Sequence, residues 1–242
     1  MRYRTVLFDA GGVLVSPNWE RASAALARQG VRVAPGVLAS AEPFVKQQLD
    51  VAPTVRTTND AQRGYLFFDL ILKRVGIEAA AATDAALAEL KAFNDTQGTW
   101  DVVAIDAVDT LMRLRAAGCR IAVVSNSNGT LRRMFQRVGL SPYVDVVVDS
   151  ADEGVEKPNP RLFEIALERT GGLRDAAIHC GDLYQIDVVG AHAAGLPAVL
   201  LDPTGLYVHA DCPRVASLTA FADGVLGGAF ESLVGVCPTE PI

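Results

Sequence analysis

The chain has 242 residues, half of them hydrophobic, and a formal net charge of −6. That length suits one large domain or a core carrying a smaller insertion. The acidic balance argues against nucleic acid or an anionic membrane as partner, because both reward basic patches. No apolar run reaches the roughly 18 residues of a membrane span. Asp9 interrupts the apolar stretch near the amino terminus, which therefore reads as a strand and not as a signal peptide. Cysteines 119, 180, 212 and 237 show no CxxC pairing and point to neither a zinc site nor a disulfide framework. The expected setting is reduced and cytoplasmic.

In chain order, Thr5 to Phe8 is continuously apolar after its threonine and predicts a strand buried on both faces. Residues from about 16 to 100 change character. They carry helical periodicity, as in Ala61 to Val75 and Thr83 to Phe93, with breaks expected at Pro35-Gly36, Pro53 and Gly76. From Asp106 an alternation sets in: a helix to Ala117, a stop at Gly118, then a strand over Ile121 to Val124. A helix from Arg132 to Val138 and a strand from Val144 to Val148 follow. Asn159-Pro160 predicts a helix start, with Asn as N-cap and Pro at the first helical position. That helix ends near Gly171-Gly172, and strands Ala177 to Cys180 and Ala198 to Leu201 bracket a short helix over Asp187 to Ala194. A closing strand is expected around Arg214 to Leu218 and a helix near Thr219 to Val225, with a frayed end beyond. Strands alternating with helices predict an α/β fold with a doubly wound parallel sheet. Its core is assigned to residues 1–15 and 101–242, and a helical insertion to 16–100.

Four short segments carry the chemistry: Phe8-Asp9-Ala10-Gly11-Gly12-Val13-Leu14, Val124-Ser125-Asn126, Glu156-Lys157-Pro158, and Gly181-Asp182 followed by Asp187. The first, second and fourth begin where a short apolar run ends, and in an open parallel sheet ligands bind at the carboxyl edge of the strands. One fold could thus gather an aspartate nucleophile, a hydroxyl, an ammonium and a pair of acids. That set suits phosphoryl transfer on a bound divalent cation. FDAGGVL, VVSN, EKPNPRLFEIAL and GDLYQID, in that order, resemble the four motifs of the haloacid dehalogenase-like (HAD) hydrolase superfamily. The likeness covers roughly residues 4 to 14 and 101 to 201. It implies a Rossmann-like core, a helical cap in the place of the insertion, and hydrolysis of a small phosphorylated molecule by a monomer or homodimer.

The resemblance assigns roles residue by residue. Asp9 matches the nucleophile, a carboxylate that attacks phosphorus and is freed again by water. Ser125 matches the hydroxyl donor to the transferring phosphoryl group. Asn126 and the amides after it lie at a helix entrance, a natural anion site. Lys157 matches the lysine that neutralises Asp9 and the phosphoryl oxygens, and it is one of only four lysines in the chain. Asp182 and Asp187 match the acids that hold Mg2+ directly or through water, joined by Asp9 and the Gly11 carbonyl; a hard cation favours such oxygen ligands. Gly11 departs from the common phosphatase pattern, which places there a second Asp as general acid. Relatives of this type that lack the acid include haloacid dehalogenases, phosphonoacetaldehyde hydrolase and some sugar-phosphate phosphatases.

Other candidates have bland readings beside them. His179 lies in a buried strand and reads as core, and His192, on a short helix, as surface. Trp19, Arg21, Arg56, Arg63, Tyr65 and the Phe67-Phe68 pair could face substrate, but at helical spacing aromatics more often pack within the cap. Lys46 is the lysine best placed to resemble the Schiff-base residue of a phosphonate hydrolase. The reading favoured is a Mg2+-dependent phosphomonoester hydrolase. Its alternatives are a dehalogenase, a phosphonoacetaldehyde hydrolase and a catalytically weak protein that binds a phosphate ligand.

Overall fold

A computed structural model describes residues 2–233; Cys237 and the expected frayed end lie outside the described residues. Six strands form one sheet: β1 (Thr5–Phe8), β4 (Arg120–Ser125), β5 (Val146–Asp149), β6 (Ala177–Gly181), β7 (Ala198–Leu201) and β8 (Arg214–Val215). Their order across the sheet is β5-β4-β1-β6-β7-β8, and every neighbouring pair is parallel. The chain therefore winds outward from β1 in one direction, returns, and winds outward in the other. That reversal opens a crevice beyond the carboxyl ends of β1 and β6, where doubly wound sheets bind ligands.

Burial on both faces explains the apolar runs. Val6 and Phe8 point to one side, where they pack with Leu111 and Leu114 of α6 (Ala107–Ala116), Phe135 of α7 (Leu131–Arg137) and Phe221 of α11 (Leu218–Gly227). Leu7 points to the other side, against Leu162, Phe163 and Ala166 of α9 (Pro160–Thr170) and Ala191 of α10 (Val189–Ala193). This is the two-residue period of a strand, filled with apolar side chains on both faces.

Between β1 and β4 the chain leaves the sheet through β2 (Val15–Ser16) and returns through β3 (Val102–Val103), which pair antiparallel as a two-strand ribbon. Five helices lie between them: α1 (Trp19–Arg28), α2 (Pro35–Leu49), α3 (Ala52–Thr57), α4 (Asp60–Arg74) and α5 (Ala81–Gln97). They bury an apolar cluster of their own, including Trp19, Leu38, Phe67, Ile71 and Leu90. The two crossings are pinned side by side: Asn18 N–H donates to the Thr99 carbonyl, and Arg21 reaches Asp101 through both terminal nitrogens at 2.9–3.0 Å.

Several element boundaries differ from the sequence reading. The breaks expected at Pro35-Gly36 and Pro53 do separate helices, each proline lying in the first turn of the next one, α2 and α3, where its missing N–H is not needed. The strand expected from Val144 begins at Val146, and the strand expected to run to Leu218 ends at Val215, where Ser217 caps α11. Asp187 does not open a helix; it lies inside a wide π turn, Tyr184–Val188, that precedes α10. Asn159 does cap α9, accepting from Arg161 N–H at 3.0 Å. Among the described residues, no helix is long and apolar enough to cross a membrane.

Asp149, buried at the end of β5, ties this edge of the sheet together. Its carboxylate accepts from Gly129 and Leu131 N–H at the start of α7 and from Ala151 N–H of α8 (Ser150–Glu153). Asp149→Ala leaves buried donors unpaired and is expected to cost about 2–3 kcal/mol, read as a lower urea midpoint at unchanged slope.

Candidate active site

Strands β1, β4 and β6 end along one edge of the sheet. Asp9 follows β1, Ser125 closes β4, and Asp182 follows β6, so the parallel pairing sets all three along one sheet edge. Asp187 is brought beneath them by the π turn, and Lys157 by the loop before α9. The Lys157 ammonium is buried between two carboxylates, 2.6 Å from Asp9 Oδ1 and 2.6 Å from Asp187 Oδ1. Asp9, Asp182 and Asp187 each offer an oxygen, and these oxygens lie within 4.8 Å of one another.

Charge balance differs at each acid. Burial pushes the Asp9 carboxyl up, and the Lys157 ammonium opposes it. Burial also acts on Asp187, but Lys157 and His179 outweigh it and hold this carboxyl well below the usual carboxylate range. Burial alone would weaken the Lys157 ammonium; Asp187 and Asp9 instead hold it protonated. Asp187 is saturated. Its Oδ1 also faces His179 Nε2 at 3.2 Å, while Oδ2 accepts from Asp182 and Leu183 N–H. Asp182 is not: its buried Oδ1 has no hydrogen-bond partner. An orphaned carboxylate oxygen beside two further acids is the donor set that a divalent cation fits.

One side chain differs in use from the sequence expectation. The Asn126 side chain turns away from an anion and clamps the Lys157 backbone, accepting from its N–H at 2.7 Å and donating to its carbonyl at 3.0 Å. Three of the amides after it are engaged. Ser127 N–H donates to Ser150 Oγ, and those of Gly129 and Leu131 to Asp149. Ser125 is buried at the strand end, its hydroxyl making only a long 3.5 Å contact to the Asn126 carbonyl.

The insertion supplies what sequence reasoning ranked low or missed. Lys46, on α2, places Nζ 2.6 Å from Asp182 Oδ2 and 3.1 Å from Glu42 Oε1. Burial would lower its pKa, but both carboxylates raise it, so the amine is held as an ammonium. One turn on, Asp50 accepts from Tyr184 and Gln185 N–H, at 2.5 and 2.9 Å, and from the Tyr207 hydroxyl at 2.8 Å. The carboxyl end of α2 is thereby fixed on the turn that carries Asp187. Burial pushes Asp50 up to about 6 against those three hydrogen bonds. The i, i+4 spacing of Lys46 and Asp50 was the available signal, since it puts both on one helix face.

The other candidates scatter. Trp19 packs inside the insertion and donates to Glu42; Arg21 serves the ribbon; Arg56 is exposed on α3. Arg63 is buried, close to Asp60 and Glu156, with Nη2 lacking a hydrogen bond. Tyr65, Phe67 and Phe68 line a cavity of about 800 Å³ that also contains Asp9, Lys46, Ser125, Lys157 and Asp182. His179 is core, packed edge-on against Phe163, yet it also touches Asp187. His192 is half-buried, not at the surface, because α10 is pressed against α9.

The family model described as haloacid dehalogenase-like hydrolase matches residues 3–195. The chain belongs to this family. Among curated relatives, the hydrolase is 38% identical over 100 residues to a ribulose-1,5-bisphosphate 5-phosphatase of Halopiger xanaduensis, covering 41% of this chain and 42% of that one. It is 33% identical over 133 residues to a glyceraldehyde 3-phosphate phosphatase of Methanopyrus kandleri, covering 54% and 56%. The chain thus spans about half the length of these relatives. A longer alignment, 84% of this chain and 86% of the other, joins it at 26% identity to haloacid dehalogenase-like hydrolase domain-containing protein 3 of Xenopus laevis. The fold matches that of the HAD-hydrolase YfnB from Bacillus subtilis, solved bound to magnesium, with a TM-score of 0.67 at 20% identity over 94% of this chain and all of that one.

Gly12 shows how tightly the hydrolase packs its loop. Its φ is +83°, and a Cβ there would overlap Lys46 Nζ and Asp182 Oδ2. At Gly11 a Cβ would meet only the Trp100 ring, 3.1 Å away. Gly12→Ala is expected to lower thermal stability and abolish divalent-cation binding in calorimetry, whereas Gly11→Ala retains both.

Proposed function

We propose that this chain is a Mg2+-dependent phosphomonoester hydrolase acting through a covalent phosphoryl group on Asp9. The observation that carries the reading is the buried Lys157 ammonium held between Asp9 and Asp187 at 2.6 Å each. Such a lysine keeps the nucleophile ionised inside a dry site and faces the oxygens of an incoming phosphoryl group. The phosphatase names of the two archaeal relatives support the same chemistry.

In the proposed reaction an Asp9 oxygen attacks phosphorus in line, and the bond from phosphorus to the leaving oxygen breaks, its electron pair departing with that oxygen. Water then attacks the phosphorus of the acyl phosphate, releasing phosphate and restoring the Asp9 carboxylate. Ser125 Oγ donates to the phosphoryl group at the edge of β4. Asn126 acts by fixing the Lys157 backbone, which assigns it a positioning role in place of anion binding. Asp182, Asp9 and the Gly11 carbonyl would hold the cation, with Asp187 orienting Lys157 and the 182–183 backbone. When bound, the cation would supply neutralisation of the negative charge on the phosphoryl group. Residues 16–100 form the cap that closes over this edge, and, among the described residues, 2–15 with 101–233 form the core. The three described cysteines are free thiols, which suits a reducing, cytoplasmic setting. A phosphonate hydrolase reading would need Lys46 as a free amine, whereas it is paired with Asp182 and Glu42.

Asp9→Asn is expected to reduce turnover of p-nitrophenyl phosphate to below about 1% of wild type, a loss of more than 2.7 kcal/mol of barrier stabilisation, with an unchanged circular dichroism spectrum. Residual activity above a few per cent would place the nucleophile elsewhere. Chelation by EDTA is expected to stop turnover and Mg2+ to restore it. Haloacid hydrolysis that persists in EDTA would instead favour the dehalogenase alternative.

A further inference from the structure

In-line displacement sends the leaving group away from Asp9, out of the sheet edge and into the cavity under the insertion. The walls of that cavity therefore read the leaving group. Beside the nucleophile loop the wall is an indole: Trp100 lies 3.1 Å from the point where a side chain at position 11 would begin. Phe67 packs against that ring with centroids 5.6 Å apart, and the Lys46 ammonium sits 5.2 Å from its centre. Phe68 and Leu87 extend the apolar lining from the insertion.

Several polar side chains on the same walls are engaged within the protein. Arg63 stands between Asp60 and Glu156, and Lys91 pairs with Asp95 at 2.6 Å. Asn94 accepts from both Thr99 N–H and hydroxyl, and the Asn128 amide donates to the Asn94 carbonyl. A polyol entering here would strip water from its hydroxyls and find most of these groups paired, the buried Arg63 Nη2 being without a hydrogen bond, at a cost for each unpaired hydroxyl. A flat apolar group would lose nothing polar and gain contact with two aromatic rings. At about 800 Å³, the cavity has room for one ring or a short chain beyond the phosphoryl group.

We propose that the site selects phosphate monoesters whose leaving group is aromatic or otherwise apolar, seated against Trp100 and Phe67, and not phosphorylated sugars or polyols. The inference rests on the phosphatase reading above.

The test separates recognition from leaving-group chemistry by comparing benzyl phosphate with glycerol 3-phosphate and glyceraldehyde 3-phosphate, all of which leave as alkoxides. With Mg2+ present, kcat/KM for benzyl phosphate is expected to exceed the others by about 10–100-fold, the range for burying one ring. Benzylphosphonate, whose P–C bond is not cleaved, should inhibit more tightly than methylphosphonate by a similar factor, which reads binding alone. Trp100→Leu, which keeps an apolar side chain on Gly11, should close most of both gaps through KM and Ki. Equal or better turnover of the two polyol phosphates would overturn the proposal while leaving the phosphatase reading intact. A preference for a doubly phosphorylated substrate would overturn it in favour of Arg63 as an anion anchor. Absence of turnover on all esters, p-nitrophenyl phosphate included, would remove the phosphatase reading and this proposal together.

Discussion

Everything at the sheet edge depends on one buried ion array. Three carboxylates, Asp9, Asp182 and Asp187, meet where β1 and β6 end, and removing such charges from water is costly unless each is paired. Two lysines do the pairing, and they arrive from opposite sides of the molecule. Lys157 comes from the core and bridges Asp9 to Asp187; Lys46 comes from the insertion and takes Asp182. The pairing of all three acids therefore draws on both the core and the insertion. Asp50 reinforces this, because its carboxylate holds the turn that carries Asp187. Helix α2 thus supplies both a charge partner for Asp182 and a clamp on the turn that carries Asp187.

The same array explains the division of labour among the acids. Asp187 spends both oxygens on Lys157, His179 and two backbone N–H groups, which fits a residue that orients its neighbours. Asp182 keeps one oxygen unpartnered and is the acid with capacity for a further ligand. Asp9 shares Lys157 yet lies on the cavity wall, where a nucleophile must be reachable.

The core was legible because its strands are buried on both faces. A continuous apolar run that ends in a polar residue marks the carboxyl edge of a parallel strand, and Asp9, Ser125 and Asp182 each sit at such a point. Helical periodicity in the insertion revealed that helices exist there, but not which end of which helix meets the core. Lys46 and Asp50 contact residues more than 130 positions away, and nothing local in the sequence reports that pairing. Asn126 was placed correctly and misread in use, because spacing locates a side chain without saying whether it turns to a ligand or to the backbone of Lys157. Asp149, 18 residues beyond Leu131, accepts from its N–H and from that of Gly129, a pairing that nothing local in the sequence reports. Trp100 escaped notice because it lies in a return crossing, where no periodicity assigns a face. Its ring nevertheless fills the space that the missing side chain at Gly11 leaves open.

The central claim is that Lys157 and its two carboxylates prepare Asp9 to accept a phosphoryl group. Rapid acid quench of the enzyme with p-nitrophenyl phosphate and Mg2+, followed by digestion and mass spectrometry, tests it directly. The account predicts a phosphoryl adduct on the peptide that carries Asp9. An adduct on any other peptide during turnover would contradict it.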